Sequence, residues 1–557
     1  MVKTKIIEQR AELSAFSLRW LPLILLIIVG LFYIFTLQPS LAWGDGARIQ
    51  IEAITGESFI FTGLPDEMFT SGPFPFAKLG VAAWDHPMYV YFTYGFVHLL
   101  AFANPLWGVN LVSALFGALM ITLFYVLCLR HTRSVLASLL ATISLAVSHT
   151  YWFHAASPEV YTFLAFLMLT CLYFYSRYEE ERKYTYLFGA VLVFGMAAAT
   201  HILAFLMLPA FGLFYMIKLF KRDFQRPETR QVLLLPIAFV LGFFPYLIQF
   251  ARMLGIFSTS DVIDSIIGII FLESSLSITM GFVVESIATY IFYLLLQFNP
   301  LGIGMGFYGL WKSKTMFWQR NLFLYVIYAL FGTAYRVTDQ FAFFMLAHIF
   351  FAFAMANGLA VLLPRLQNAR RRNFVFANVV LIAAMPVLYA ALPGLTAKIG
   401  ITDEMLGIPS VGVEDVRSGI TYYANPNKYR DTSAEEFGRS TIAALPPDAF
   451  VVAEWYTDTD EYLVFDYYTH VAGLRPDVEV AGWMLEDPFT FDSGIIVDKI
   501  ESQLAKRPVY LASLSEEFYN ASYLLREYCI VPEFNLYRVY PQEPSHDAAT
   551  VNCLSAP

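Results

Sequence analysis

Ionisable and aromatic residues gather in short runs beside long apolar stretches. Trp43-Gly44-Asp45-Gly46-Ala47-Arg48 follows the first such stretch, and Trp84-Asp85-His86-Pro87 precedes a later one. A third run reads Ser148-His149-Thr150-Tyr151-Trp152-Phe153-His154, continuing to Ser157-Pro158-Glu159-Val160-Tyr161, and a fourth reads Tyr335-Arg336-Val337-Thr338-Asp339. Charged groups are costly to hold next to hydrocarbon, so their presence there marks candidates for function. Collected at one mouth of a membrane protein, they are what a site handling a lipid-borne substrate requires.

Each run also has a plainer reading. Asp45, flanked by glycines, suits a turn. His149 and His154 are five apart, which is not the i, i+4 spacing that puts two metal ligands on one helix face. Asp458-Thr459-Asp460 has the form of a metal-binding DxD, but before a helix in an acidic region it reads as a solvated turn. His201, at the end of an apolar stretch, equally suits a satisfied core histidine. No Walker-type phosphate loop, HExxH, CxxC or internal repeat is present, which weighs against an ATP-driven pump and a zinc protease.

The elements that must position these residues are membrane helices. Of 557 residues 58% are hydrophobic and 15% charged, against roughly 45–50% and 25% in soluble domains. The apolar residues form runs near the ~20 residues an α-helix needs to cross the hydrocarbon core. A barrel's strands would alternate in short segments instead. Eleven spans fit, near 21–38, 107–129, 134–150, 160–177, 185–201, 203–219, 231–252, 285–311, 321–336, 341–363 and 374–392. Asn299-Pro300 inside 285–311 allows a broken helix or two short ones. Stretches 88–104 and 260–281 are read as helices at the outer interface, with a span at 88–104 the alternative.

Lys and Arg orient this set. With the N-terminus (Lys3, Lys5, Arg10, Arg19) cytoplasmic, five basic loops also fall inside: Arg130/Arg133, Arg177/Lys183, Lys218/Lys221/Arg222, Lys312/Lys314/Arg320 and Arg365/Arg370/Arg371/Arg372. Counting 88–104 as a span would turn Arg130 and Arg133 outward. The first stretch reads as an uncleaved helix, although Ser40-Leu41-Ala42 is weakly cleavage-like.

The outer face then holds a first loop of about 40–106, short loops near 149–160 and 336–340, and everything after about 393. Residues 1–392 form the membrane domain and 393–557 an acidic α/β domain. Its apolar strands Phe450-Val451-Val452-Ala453, Val478-Glu479-Val480 and Pro508-Val509-Tyr510-Leu511-Ala512 alternate with helical patterns at 460–472 and 494–505, which predicts a small, mostly parallel sheet. Cys128 and Cys171 read as packing residues. Cys529 and Cys553 lie in an oxidising compartment, where they can pair or stay free. Asn520-Ala521-Ser522 matches a glycosylation sequon, a triplet common by chance.

Taken together, the chain resembles the C-type glycosyltransferase (GT-C) superfold, and within it the protein O-mannosyltransferase-like membrane proteins with a C-terminal outer domain. The residues carrying the likeness are Gly44-Asp45-Gly46, His86-Pro87, Asn110 to Phe116, Trp152 with Glu159-Val160-Tyr161, Thr200-His201, and Tyr335 with Asp339. Leu445-Pro446-Pro447-Asp448-Ala449 and Leu474-Arg475-Pro476-Asp477-Val478 extend it into the C-terminal part. The chain departs where relatives often carry His-Pro-Pro-Gly (here His86-Pro87-Met88-Tyr89), and where they place an acidic residue after the first-loop aspartate (here Ala47-Arg48). Those departures leave sugar and acceptor open.

The resemblance implies an inverting transferase. It would move a sugar, mannose by preference, from a polyprenyl-phosphate carrier to an acceptor hydroxyl on a protein or glycan at the extracytoplasmic face. Asp45 is the expected base. Arg48, His86, Arg336 and Lys78 are expected to hold the departing phosphate. Glu159, Asp85, Asp339, His201 and Trp152 are expected to position the acceptor or support the site. No metal ligand set is assigned; a divalent ion is compatible with the reading but not indicated. Membrane lipids are the other expected partners; the acidic outer surface argues against nucleic acid. The membrane is a bacterial or archaeal plasma membrane, or that of the endoplasmic reticulum. A lipid-linked substrate transporter or flippase, or a non-catalytic scaffold, are the alternatives.

Overall fold

The computed structural model of the protein describes residues 19–56, 86–220, 229–256, 259–260, 262–263, 280–335, 339–406, 408, 411, 416–454, 461–482, 493–541 and 553–554. Among the described residues sixteen α-helices, α1 to α16, lie in the part up to Lys398. They are α1 Leu21–Phe35, α2 Asp45–Thr55, α3 Pro87–Leu100, α4 Pro105–Thr132, α5 Val135–Ala146, α6 His149–Ala156, α7 Tyr161–Glu181 and α8 Tyr184–Thr200. After a 3-10 turn at Ile202–Met207 come α9 Leu208–Phe220, α10 Thr229–Ile256, α11 Met280–Gln297, α12 Pro300–Trp311, α13 Met316–Ala334, α14 Gln340–Phe343, α15 Met345–Leu362 and α16 Asn368–Lys398.

The chain is a polytopic integral membrane protein. Among the described residues four helices are long and apolar enough to cross a membrane, or six if each bent pair counts as one span. The two bent pairs are α5–α6, turned by 61°, and α11–α12, turned by 116°. The second bend falls at Asn299-Pro300, where Pro300 opens α12 and the Asn299 side chain accepts a hydrogen bond from Gly302 N at 2.9 Å. The interfacial reading of 88–104 has a counterpart in α3, whose 14 residues extend about 21 Å, short of the ~30 Å core. Most of the predicted helix at 260–281 lies outside the described residues.

Broken helices free backbone carbonyls that lipid cannot satisfy. Tyrosine hydroxyls cap them here: Tyr33 donates to Ala146 O at 2.8 Å at the end of α5, and Tyr389 donates to Leu296 O at 2.8 Å at the end of α11. Tyr328 donates to Leu203 O at 2.9 Å inside the 3-10 turn. The centre of this packing is α15, whose residues from Met345 to Leu359 are all buried.

The C-terminal part carries a five-stranded sheet of order β2-β1-β3-β5-β4. Strands β1 Phe450–Val452, β2 Glu479–Ala481 and β3 Val509–Leu511 are parallel, with Val451 opposite Val480 on one side and Tyr510 on the other. They match the three predicted strands, and the helices between them, α19 Glu461–Asp466 and α20 Ser493–Leu504, match the predicted helical patterns. The antiparallel hairpin of β4 Cys529–Glu533 and β5 Leu536–Tyr540 is an addition; Phe534 and Asn535 turn it with φ of 54° and 64°. Cys529 and Cys553 form a disulfide that ties the chain end to β4, whereas Cys128 and Cys171 are buried free thiols.

The membrane part and the sheet share a core. Leu41, Trp43, Ala47 and Ile51, around α2, pack in one buried cluster with Phe437 of α18 (Ser433–Ala444) and with Phe465 and Tyr468. Burying Trp43 alone contributes about 4–6 kcal/mol of transfer free energy. Its indole N–H donates to Ser433 Oγ at 2.9 Å, and the Arg417 guanidinium sits over its ring. Two further bonds join the parts: Lys428 N to Thr36 O at 2.9 Å and His149 Nε2 to Tyr423 O at 2.7 Å, just before α18.

Candidate active site

The site begins where α1 ends. Gly44, with φ 58° and ψ −141°, turns the chain into α2, a backbone conformation that a side chain would strain. Asp45 is then the first residue of α2 and Arg48 lies one turn on, so the two side chains meet: Arg48 Nη2 is 3.1 Å from Asp45 Oδ1. Asp45 is 61% exposed and Arg48 only 13%. The carboxylate therefore faces the open side, and the guanidinium is folded beneath it.

A buried amide network holds α2 in place. Gln50 accepts from Ala42 N at 2.8 Å and donates to Ser40 O at 3.0 Å and Asn110 Oδ1 at 2.8 Å; Asn110 Nδ2 donates to Gln38 O at 2.9 Å. A Cβ added at Gly46 would come within 2.8 Å of Ala42 and 3.1 Å of Pro158, so the start of α2 lies against the loop that carries Glu159. That loop is pinned by Ser113, which accepts from Glu159 N at 3.0 Å and lies 3.0 Å from Glu159 O.

Burial drives the Glu159 carboxyl well above the usual carboxylate range, and the charges of Asp45 and Asp339 push the same way while Arg48 opposes them. Asp45 and Asp339, from two other segments, thus both act on Glu159, which is held toward its neutral, hydrogen-bond-donating form. Among the described residues no group of three or more His, Cys, Asp or Glu side chains could hold a metal ion.

Two imidazoles form a wall beside the carboxyl groups. His86 and His201 stack with ring centres 5.0 Å apart and planes 16° from parallel. His86, at φ 58° just before Pro87, places Nδ1 2.8 Å from Thr200 O. His201 Nδ1 accepts from Leu203 N at 3.1 Å. Burial, and next the Arg48 charge, lower His86 to about 3, so it is neutral at physiological pH.

Aromatic rings close the far side. Tyr161 lies between His201, at 5.6 Å, and His154, at 4.9 Å; Phe343 of α14 contacts Tyr161, His201 and Tyr335. Those contacts bring Asp339, which precedes α14, toward Glu159.

Of the residues the sequence singled out, Asp45, Arg48, His86, Glu159, His201 and Asp339 come together here. Trp152 lies behind them, buried against Phe32 with its indole N–H on Thr36 Oγ1 at 2.9 Å. Lys78, Asp85 and Arg336 lie outside the described residues, as does Asp458-Thr459-Asp460. Two residues of the same polar runs, with no role in the site predicted from the sequence, also line it: Tyr161, and His154, whose two ring nitrogens are buried without a hydrogen-bond partner. The ring contacts place them there.

Residues 77–224 match the family described as the Protein O-mannosyl-transferase TMEM260 N-terminal domain. That segment contains His86, Glu159, Tyr161 and His201. The fold is similar to that of ArnT from Cupriavidus metallidurans in the apo state, at TM-score 0.54 and 14% identity over 93% of this chain and 97% of that one. ArnT bound to undecaprenyl phosphate is similar at TM-score 0.52 and 14% identity, over 94% and 98%. No curated protein sequence matches the chain. The chain thus has the fold of the ArnT structures and, over residues 77–224, a match to an O-mannosyl-transferase family. The resemblance to protein O-mannosyltransferase-like membrane proteins is borne out by the match over residues 77–224, which holds Glu159-Val160-Tyr161, and by the fold.

Proposed function

We propose that the chain moves a sugar, mannose in the first instance, from a polyprenyl-phosphate carrier to an acceptor hydroxyl, with inversion and with Asp45 as general base. The observation that carries this reading is the solvent-open Asp45 carboxylate lying on the Arg48 guanidinium at the N-terminus of α2, beside Glu159 and the histidine wall. The similarity to ArnT bound to undecaprenyl phosphate supports a polyprenyl-phosphate carrier. The TMEM260 O-mannosyl-transferase segment supports mannose and a protein hydroxyl.

Asp45 takes the proton of the attacking hydroxyl, which adds to the anomeric carbon as the phosphate oxygen leaves with the bonding pair. The leaving phosphate is a weak base and needs no general acid. Arg48 offers it a charge-assisted hydrogen bond and the first turn of α2 offers backbone N–H groups. As the phosphate draws on Arg48, the ion pair to Asp45 loosens and the carboxylate becomes a better base. Glu159, held toward its neutral form by burial, adds a hydrogen-bond donor rather than a third repelling charge. Arg336 and Lys78 are further cationic candidates. In this reading about eleven spans place the N-terminus in the cytoplasm and residues 393–557 outside, where the sheet domain packed on α2 borders the acceptor's path.

The test is transfer from radiolabelled polyprenyl-phosphate sugars in membranes, wild type against Asp45→Asn. General-base removal predicts a loss of roughly 10²–10⁴ in rate. A fully active Asp45→Asn variant would overturn the base assignment, and a wild type inert toward every sugar and acceptor extract would overturn the reaction.

A further inference from the structure

The two stacked histidines differ in which nitrogen carries the proton, and the difference follows from their backbone partners. A carbonyl oxygen can only accept, so His86 must donate from Nδ1 to Thr200 O, and its Nε2 keeps a lone pair. A backbone N–H can only donate, so His201 Nδ1 accepts from Leu203 N, and the His201 proton sits on Nε2. Neither histidine can exchange roles without breaking its bond. His86 is clamped by its left-handed backbone and by Pro87, and His201 by the break between α8 and the 3-10 turn. The wall therefore presents one acceptor and one donor, 5.0 Å apart from ring centre to ring centre.

A lipid-linked sugar has two polar ends of opposite character beside such a wall. Its phosphate oxygens only accept hydrogen bonds, whereas its sugar hydroxyls can donate. A lone pair on His86 repels a phosphate oxygen, and adding a proton there is opposed by burial and by Arg48. We infer that His201 Nε2–H binds the carrier phosphate and that His86 Nε2 accepts a hydrogen bond from a hydroxyl of the sugar. This rests on the lipid-linked donor proposed above, and it moves His86 from the phosphate to the sugar. It also gives the site a means to release product. Once the sugar has left, the sugar-free carrier keeps its His201 contact and loses the one to His86.

The experiment measures binding as well as turnover. The full chain, purified in nanodiscs, is titrated with farnesyl phosphate and with its mannosyl and glucosyl esters, following intrinsic tryptophan fluorescence. His201→Phe, which keeps an aromatic ring in the stack, is expected to weaken farnesyl phosphate about tenfold, the effect of one lost hydrogen bond to a charged group. His201→Asn, which restores an N–H, is expected to recover most of that. His86→Phe is expected to leave farnesyl phosphate within about twofold and to erase the advantage of the sugar-bearing ligand. Equal weakening of farnesyl phosphate by His86→Phe and His201→Phe overturns the assignment. A wild type that binds all three ligands alike overturns the sugar half of it. This binding pattern in a chain that transfers no sugar would sustain the histidine roles and sink the transferase reaction instead.

Discussion

Replacing Gln50 by Leu should disable catalysis without unfolding the protein. The side chain is fully buried and makes three hydrogen bonds, to Ala42 N, Ser40 O and Asn110 Oδ1. Leu fills a similar volume and makes none. Ser40 O still receives Asn110 Nδ2 at 3.2 Å, so Gln50→Leu strands two groups, Ala42 N and Asn110 Oδ1. At ~1–3 kcal/mol for each buried unsatisfied group, the cost is about 2–6 kcal/mol. Its midpoint, about 4 kcal/mol, is below the 5–15 kcal/mol typical of a folded domain, and the cost falls on the segment that aims Asp45 and Arg48. Displacing a reacting group by ~1 Å can cost ~10²-fold in rate. We therefore expect kcat for sugar transfer to fall by at least ~10-fold, toward ~10²-fold, with the thermal transition lowered but still cooperative. Donor KM should move less, because the histidine wall does not rest on this network. The assay pairs initial rates from a polyprenyl-phosphate sugar in nanodiscs with thermal unfolding of the same preparation. Wild-type kcat in Gln50→Leu would show that the amide network does not position Asp45. A parallel collapse of kcat and fold would show that its role is general stability.

Two further predictions concern the outer domain. Burial, and next the charge of Glu461, raise Glu454 to about 7. The folded state then binds its proton more tightly than the unfolded chain, and stability present below about pH 4.5 is lost as pH rises through about 7, up to ~3 kcal/mol. Thermal unfolding between pH 4.5 and 8 should show that decline, and Glu454→Gln should flatten it; an unchanged slope in the variant would assign the decline elsewhere. The Cys529–Cys553 bridge closes a loop with a sequence separation of 24, so reduction should cost the outer domain about 3 kcal/mol. Unfolding with and without reductant checks this, and Cys553→Ser should make reductant irrelevant.

Much of the fold could be read from the chain because its causes are local. The run of apolar residues needed to cross hydrocarbon is a property of composition, and Asn299-Pro300 marked the 116° bend because proline opens a helix wherever it stands. The parallel strands at Phe450, Glu479 and Val509 were legible because each is a short apolar run bounded by turn residues and separated from the next by a helical pattern. The β4–β5 hairpin escaped notice, since neither strand has that continuous apolar signature and Phe534-Asn535 is a weak turn signal.

The site divides along the same line. Asp45, Arg48, His86, Glu159, His201 and Asp339 stood out because a charged or imidazole group beside an apolar span is costly and therefore conspicuous. By itself the sequence determined the membrane class, the apolar stretches, the strands between helical patterns and a short list of reactive groups. Only the tertiary structure decided which of them meet, that Tyr161 and His154 join them, and that α2 is wedged between the amide network and the outer sheet domain. It also decided the proton positions on His86 and His201, because those depend on Thr200 O and Leu203 N. Long-range partners carry no local pattern, and a histidine's tautomer is set by whichever backbone group the fold brings to it.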